Sequence, residues 1–415
     1  MTDVAYNPFA PGFIEDPYDQ YRTMREHEPV HETPFGVWAL FRYDDVLRFV
    51  RDPELSVEDE HQLDSPITAM REAVLGESER RARLAMLDRN PPDHTRLRKL
   101  VSKAFTPRRM EALRPRVQAL VDEALDAAAA AGTMDLIPDL AFPLPFAVIS
   151  EMLGMPDHLG DPLQLREWSG TIVRALEPPS DFDLLRRIAE ANDLMEAHLR
   201  EVIAWKRDNQ SDDVLSALIA AEEGGDTLSD DELLAQVALL FIAGHETTVN
   251  LIGNGMLALL RNPDQLAAMR ELGGGGDDGA GDAADAATVT AVEEFLRYDA
   301  PVQMTRRITL EDVEVGGVTI PKGMFVMCSL ASANRDESHF GPTAATLDID
   351  RADAREHLSF GGGAHYCLGA ALARLEAGVA ISTLIERFPN VAIAGAPVYN
   401  GRINLRGLDH LPLQL

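Results

Sequence analysis

The chain has 415 residues, 46% hydrophobic and 26% charged, which is the balance of a folded globular protein and not of a disordered one. Its formal net charge of -30, from 38 Lys and Arg against 68 Asp and Glu, disfavours nucleic acid or an anionic membrane as partner, except at a local basic patch. With only Cys328 and Cys367 there is no disulfide framework, and the opening Met-Thr-Asp-Val-Ala-Tyr-Asn-Pro lacks the basic start and apolar run of a signal peptide or membrane anchor, so a soluble, cytoplasmic monomer is expected.

Residues 1–60 mix short helical patterns with strands such as Val37 to Phe41, and Asp44 to Asp52 reads as a helix closed by Pro53. Residues 61–92 have weak periodicity and end in Asn90-Pro91-Pro92-Asp93, which predicts a long loop or short helices. From about residue 93 a 3.6-residue period predicts helices over 94–104, 108–131, 144–153, 162–175, 183–207, 213–222, 230–260, 264–271, 288–298 and 368–387. Strand patterns at 313–315, 318–320 and 324–328 are separated by Gly316-Gly317 and Pro321-Lys322-Gly323, which supply turn chemistry. Gly273 to Ala287 contains Gly, Asp and Ala alone and is expected to form a flexible surface loop. The whole reads as one domain over 1–415, mainly α with small β-sheets.

The chemistry concentrates in Phe360-Gly361-Gly362-Gly363-Ala364-His365-Tyr366-Cys367-Leu368-Gly369, which opens into a helix expected from Leu368 to Phe388. A cysteine just before a helix start sits at the positive end of the dipole, which favours its thiolate, and first-turn N–H groups can donate to the sulfur. The glycines let the main chain approach a flat ligand closely. Cys367 is therefore a candidate anionic axial ligand, although a lone cysteine behind a glycine loop also suits a structural thiol. Cys328, in an apolar strand-like run, reads as packing. The ten-residue pattern resembles the haem-binding signature of the cytochrome P450 family. That resemblance implies that Cys367 ligates the iron of haem b (iron protoporphyrin IX), that His365 reaches a propionate, and that Phe360, Gly361 and Gly369 belong to the cofactor site.

Upstream, Ser229-Asp230-Asp231-Glu232 is a capping box, and the apolar pattern then runs from Leu233 to Leu260 before Asn262-Pro263 stops it. About 31 residues at 1.5 Å each make a rod of roughly 46 Å, long enough to cross a domain. A membrane span does not fit, because Gln236, His245, Glu246, Asn250 and Asn254 interrupt the run. Within it stands Ala243-Gly244-His245-Glu246-Thr247-Thr248, where an acid and a hydroxyl lie side by side. A zinc-protease reading fails, since position 249 is Val where a second His is required. The segment resembles the oxygen-binding part of the P450 distal helix. By that resemblance Ala243 and Gly244 lie at the cofactor, with Gly244 making space for dioxygen. Thr247 hydrogen-bonds the bound dioxygen, and Glu246 serves proton delivery.

Three further matches extend the resemblance over nearly the whole chain. Glu294 and Arg297, spaced i, i+3, take the place of the family's Glu-x-x-Arg pair and read as scaffolding, with Asn334-Arg335-Asp336 as the segment that packs beside it. His94 and Arg98, spaced i, i+4, resemble the pair that holds a haem propionate. Arg307 is a third such donor by register, with Arg306 as its alternative.

The resemblance implies the P450 prism fold, with haem between the helices at 230–260 and 368–387. The implied reaction inserts one oxygen atom of dioxygen into an organic substrate, with electrons passed from NAD(P)H through a ferredoxin and its reductase. The basic cluster Arg96, Lys99, Lys103, Arg108 and Arg109 suits docking of an acidic ferredoxin. Two haem-containing alternatives are a peroxide-driven peroxygenase, which typically lacks the acid and threonine present here, and a non-catalytic haem-binding protein. A helical interaction protein without haem is the third. By family register the pocket draws on Ile67 to Leu87, Leu165 to Arg186, Leu240, Ala243, Thr248, Val302, Met304 and the turn near Leu405, so a lipophilic polyketide, terpenoid, steroid or fatty acid is expected.

Overall fold

The structure, a computed structural model, describes residues 6–156, 158–178, 182–223, 226–273 and 281–415. The helices used below are α1 (Tyr43–Arg51), α2 (Pro66–Ala82), α3 (Asp93–Ser102), α4 (Arg114–Ala131), α5 (Pro143–Leu153), α6 (Pro162–Ile172), α7 (Phe182–Asp208), α8 (Asp230–Arg261), α9 (Gly281–Tyr298) and α10 (Ala370–Arg387). The strands used below are β1 (Val30–Glu32), β2 (Trp38–Leu40), β3 (Met304–Thr309), β4 (Val313–Val315), β5 (Val318–Ile320) and β6 (Phe325–Ser329). The molecule is mainly helical with small sheets, as the periodicity predicts. None of its described helices is long and apolar enough to cross a membrane.

Two compact units form, one from the chain up to Leu55 with Met110–Pro145 and Thr247–Leu415, the other from Ser56–Arg109 and Phe146–Glu246. The division falls inside α8, between the acid and the hydroxyl singled out above.

In the first unit β2 pairs antiparallel with β1 and parallel with β6, and β6 pairs antiparallel with β3, so that Cys328 lies opposite Leu40 and Thr305. β4 and β5 form a separate hairpin through Gly316-Gly317, both with positive φ. Trp38, Leu40, Phe49, Val326 and Cys328 belong to one apolar core that α1 closes. Burial pushes the Cys328 thiol up to about 12, so it remains protonated and packs as an apolar group.

In the second unit α2 packs on α7, with Leu75 against Leu184, Leu185 and Ile188. α2 occupies much of the stretch expected as loop or short helices. Ser65 caps it in a reciprocal box with Thr68, and Gly76 kinks it at φ 35°, ψ -104°. That kink splits the helical period, which is why the sequence shows none.

The capping box at the start of α8 forms as expected, with Glu232 N donating to Ser229 Oγ at 3.2 Å and Ser229 N to Glu232 Oε2 at 2.9 Å. α9 begins at Gly281, inside the stretch 273–287 expected as loop, because Ala283, Ala284, Ala286 and Ala287 favour helix. Residues 274–280 of that stretch lie outside the described residues. α10 begins at Ala370 with Gly369 as N-cap, two residues later than expected, since Leu368 and Gly369 complete a turn.

Candidate active site

The loop carrying Cys367 is held from behind. Leu358 N donates to Asn334 Oδ1 at 2.7 Å, Ser359 Oγ donates to Leu296 O at 2.6 Å, and Asn334 Nδ2 donates to Ser359 Oγ at 2.7 Å. Gly361 N then donates to Leu358 O at 2.7 Å, and Cys367 N to Phe360 O at 2.9 Å, which folds the loop back on itself. Gly361 has φ +68° and Gly363 φ +63°; a Cβ at Gly363 would lie 3.1 Å from both Arg51 Cα and Val50 O, so backbone packing enforces glycine there. Phe360 is covered by the Arg374 guanidinium, 4.5 Å from the ring centroid, and Arg374 donates to Glu293 at 2.8 and 3.0 Å. The outcome is an exposed thiol at Cys367, with His365 and Gly369 half-buried.

Arg307 is buried, and its Nη2 donates to Val50 O at 2.7 Å, beside Gly363. Behind the loop, Glu294 and Arg297 form a fully buried bidentate pair at 2.6 and 2.7 Å.

Helix α8 is buried along most of its middle, with an interruption. Ala243 is exposed and Gly244, Glu246 and Thr247 are partly so, whereas Phe241, His245 and Thr248 are buried. Ala243 and Thr247 are one turn apart and share a face, so a strip of small and hydroxyl-bearing surface opens in an otherwise packed helix. Gly244 has a second constraint that sequence reasoning did not supply, since a Cβ there would lie 2.8 Å from Ile149 Cγ1 on α5. Glu246 Oε1 accepts from Ser169 Oγ on α6 at 3.0 Å.

On α3, His94 is buried and Arg98 half-buried. Burial, followed by the neighbouring Arg98 charge, lowers the His94 pKa, which favours its neutral form.

Glu376 on α10 is a buried acid that sequence reasoning missed. It is fully buried beside Thr248 of α8, and burial raises its pKa well above the carboxylate range. The stability cost of that shift is absent below the ordinary glutamate pKa and grows as pH rises toward the folded-state value.

Within the first unit, the exposed Cys367 on its backbone cradle, Arg307 on β3 and Thr247 offer a sulfur, a basic group and a hydroxyl of the kinds that bind and serve a haem; within the second, α3 carries the basic pair His94 and Arg98, and α8 carries Gly244 and Glu246. The residues present fit that group. When bound, haem activates dioxygen, and its thiolate supports O–O cleavage by pushing electron density onto iron.

Comparison with known proteins agrees. The family model described as cytochrome P450 matches residues 19–393. Cytochrome P450 107B1 of Saccharopolyspora erythraea is 42% identical, covering 98% of this chain and 96% of its own. The vitamin D(3) 25-hydroxylase of Pseudonocardia autotrophica is 41% identical, covering 98% and 96%. Among solved structures, myxobacterial cytochrome P450 CYP267B1 in complex with myristic acid has a TM-score of 0.85 at 38% identity, covering 98% of each chain. A thiol loop and distal helix of this kind, on a fold shared over nearly its whole length with these enzymes, mean that the chain belongs to the cytochrome P450 family of haem monooxygenases.

Proposed function

We propose that this monooxygenase inserts one oxygen atom of dioxygen into a lipophilic small molecule, by hydroxylation or epoxidation, and that Cys367 is the axial ligand of its haem. His365, Arg307, His94 and Arg98 donate to the propionates, and Phe360, Gly361, Gly369, Ala243 and Gly244 shape the cofactor site. The observation that carries the reading is the pairing of an acid and a hydroxyl, Glu246 and Thr247, where α8 opens to solvent in its buried middle. A peroxide-driven enzyme or a passive haem carrier has no use for that pair.

Thr247 holds dioxygen in place through its hydroxyl, and Glu246 brings protons from solvent. Thr247→Ala is expected to bind haem and substrate normally and to consume reduced cofactor, while diverting much of the electron flow to hydrogen peroxide. Glu246→Gln is expected to slow oxygen consumption itself, on the order of 100-fold, because an amide cannot titrate. Oxygen uptake, peroxide release and product formation measured together distinguish the two failures. Wild-type rate and coupling in both variants would remove the proton-delivery roles.

For the substrate, support comes from the relatives: one is named for vitamin D(3), another holds myristic acid. A lipophilic ligand library screened by the haem spin-state shift tests it, and binding confined to polar molecules would overturn it.

Electrons are proposed to come from NAD(P)H through a ferredoxin reductase and an acidic ferredoxin docked on the basic cluster. Arg96 pairs with Glu232, and Arg109 lies 3.5 Å from Asp212, while Lys99 is exposed on α3. Surface attraction is screened over about 10 Å at 0.1 M salt, so reduction should slow as ionic strength rises. Lys99→Glu with Lys103→Glu is expected to lower the reduction rate roughly tenfold or more at low salt. An unchanged rate would refute this docking site.

A further inference from the structure

Glu246 belongs to a three-member hydrogen-bonded chain. Ser169 Oγ lies 3.0 Å from Glu246 Oε1 and 3.0 Å from His245 Nε2. His245 Nδ1 lies 2.7 Å from the carbonyl of Phe241, one turn back on α8. A carbonyl only accepts, so Nδ1 carries a proton whether the ring is neutral or charged, and the proton free to move is the one on Nε2.

Two arrangements of this chain differ by the place of a single proton. With Glu246 as a carboxylic acid, the acid donates to Ser169 Oγ and Ser169 donates to the bare Nε2. With Glu246 ionised, the imidazolium Nε2–H donates to Ser169 Oγ and Ser169 donates to the carboxylate. Passing from the second to the first moves a proton from His245 to Ser169 while the proton of Ser169 moves to Glu246, and nothing else changes. Ser169 Oγ also lies 3.1 Å from Arg166 O, an acceptor that can hold its proton between transfers.

Burial defines the roles. Ser169 and His245 are fully buried, and the imidazole packs against Phe146 of α5 and Phe241, at 5.6 and 5.2 Å between ring centroids. Glu246 keeps 11% of its side chain exposed and is the member that reaches solvent. Phe146, Ser169, Phe241 and Glu246 face His245, and of these four Glu246 is the acid.

Monooxygenation consumes two protons per turnover: substrate, dioxygen, two electrons from the redox partner and two protons give hydroxylated product and water. One half-buried carboxyl supplies one proton at a time. We propose that His245 stores a second proton and recharges Glu246 with it through the hydroxyl of Ser169, the store being refilled by the same path. Ser169 and His245 act through Glu246 and are positioning residues, so this inference rests on the role assigned to Glu246 above.

The test uses the haem-loaded enzyme with Ser169→Ala, Ser169→Thr and His245→Gln, the last keeping hydrogen-bonding groups near Nε2 while removing titration. Ser169→Ala and His245→Gln are expected to lower kcat about tenfold, less than the loss of the direct donor. Substrate affinity should not change, and neither should turnover driven by hydrogen peroxide, which brings its own protons. Ser169→Thr should restore kcat; where it fails to take up haem, His245→Gln decides.

The second readout is independent of activity. In the diamagnetic reduced carbonyl form of ¹⁵N-histidine-labelled protein, with His245→Gln for assignment, the Nε2 resonance should titrate. Its midpoint should fall in Glu246→Gln, because a neutral amide no longer stabilises the imidazolium. If Glu246→Gln slows oxygen uptake but leaves the Nε2 titration unmoved, or if His245→Gln turns over like wild type, the store is refuted and the role of Glu246 stands. If Glu246→Gln itself behaves as wild type, the underlying role fails first.

Discussion

Cys367→Ser is expected to abolish the red-shifted Soret band of the reduced carbonyl complex, and turnover with it, while Cys328→Ser leaves both intact. A serine oxygen is far less willing than a thiol to ionise and donate to iron, so the substitution removes the ligand while barely changing side-chain size. The loop should survive, because its closing contacts are backbone ones, Cys367 N to Phe360 O and Gly361 N to Leu358 O. Cys328 is a sound control. It is fully buried in the β6 strand, and its thiol, pushed up to about 12, holds its proton at any working pH. Absorbance spectra of the two reduced, carbon monoxide-treated variants decide the matter. Loss of the band in Cys328→Ser with retention in Cys367→Ser would overturn the ligand assignment.

Local signals in this chain were legible and distant ones were not. The loop at 360–369 announces itself because glycines with positive φ and a cysteine before a helix start are written into adjacent residues. The ends of α8 were readable for the same reason, with a capping box at one end and Asn262-Pro263 at the other. By contrast, the kink at Gly76 breaks the period on which helix recognition depends, and α2 was expected only as loop or short helices. Ser169 meets His245 and Glu246 across 76 and 77 residues, and no property of Ser169 itself marks it. Glu376 was equally silent, because a glutamate in a helix ordinarily faces water and only the packed fold shows it buried beside Thr248. Even Gly244 has a packing reason in Ile149 that the motif does not contain.

Arg297→Ala is expected to leave little haem-containing protein at all. On sequence spacing alone Glu294 and Arg297 are an i, i+3 pair of a kind that contributes little at a surface. Here both are fully buried, and the guanidinium also donates to Asn334 O at 2.8 Å, Ala344 O at 2.6 Å and Thr346 O at 3.0 Å. Glu294 Oε1 in turn accepts from Asp348 N at 2.9 Å and lies 3.5 Å from Arg351 Nε. Removing the arginine leaves three carbonyls without their donor and one carboxylate buried with a weaker partner. Breaking a buried pair from one side costs about 3–5 kcal/mol, against a total stability of about 5–15 kcal/mol for a domain. The damage should reach the cysteine, since Asn334 also holds Leu358 N and Ser359 Oγ at the root of the Cys367 loop. Arg297→Lys keeps the charge but not the planar fork, and should fall between wild type and alanine. Haem absorbance per unit protein and the thermal unfolding midpoint give the order. Arg297→Ala with wild-type haem content and midpoint would show that the pair does not carry the loop, and the scaffold would then have to lie in Glu293, His357 and Arg374, whose contacts at 3.0 and 2.8 Å join the same segment to α9 and α10.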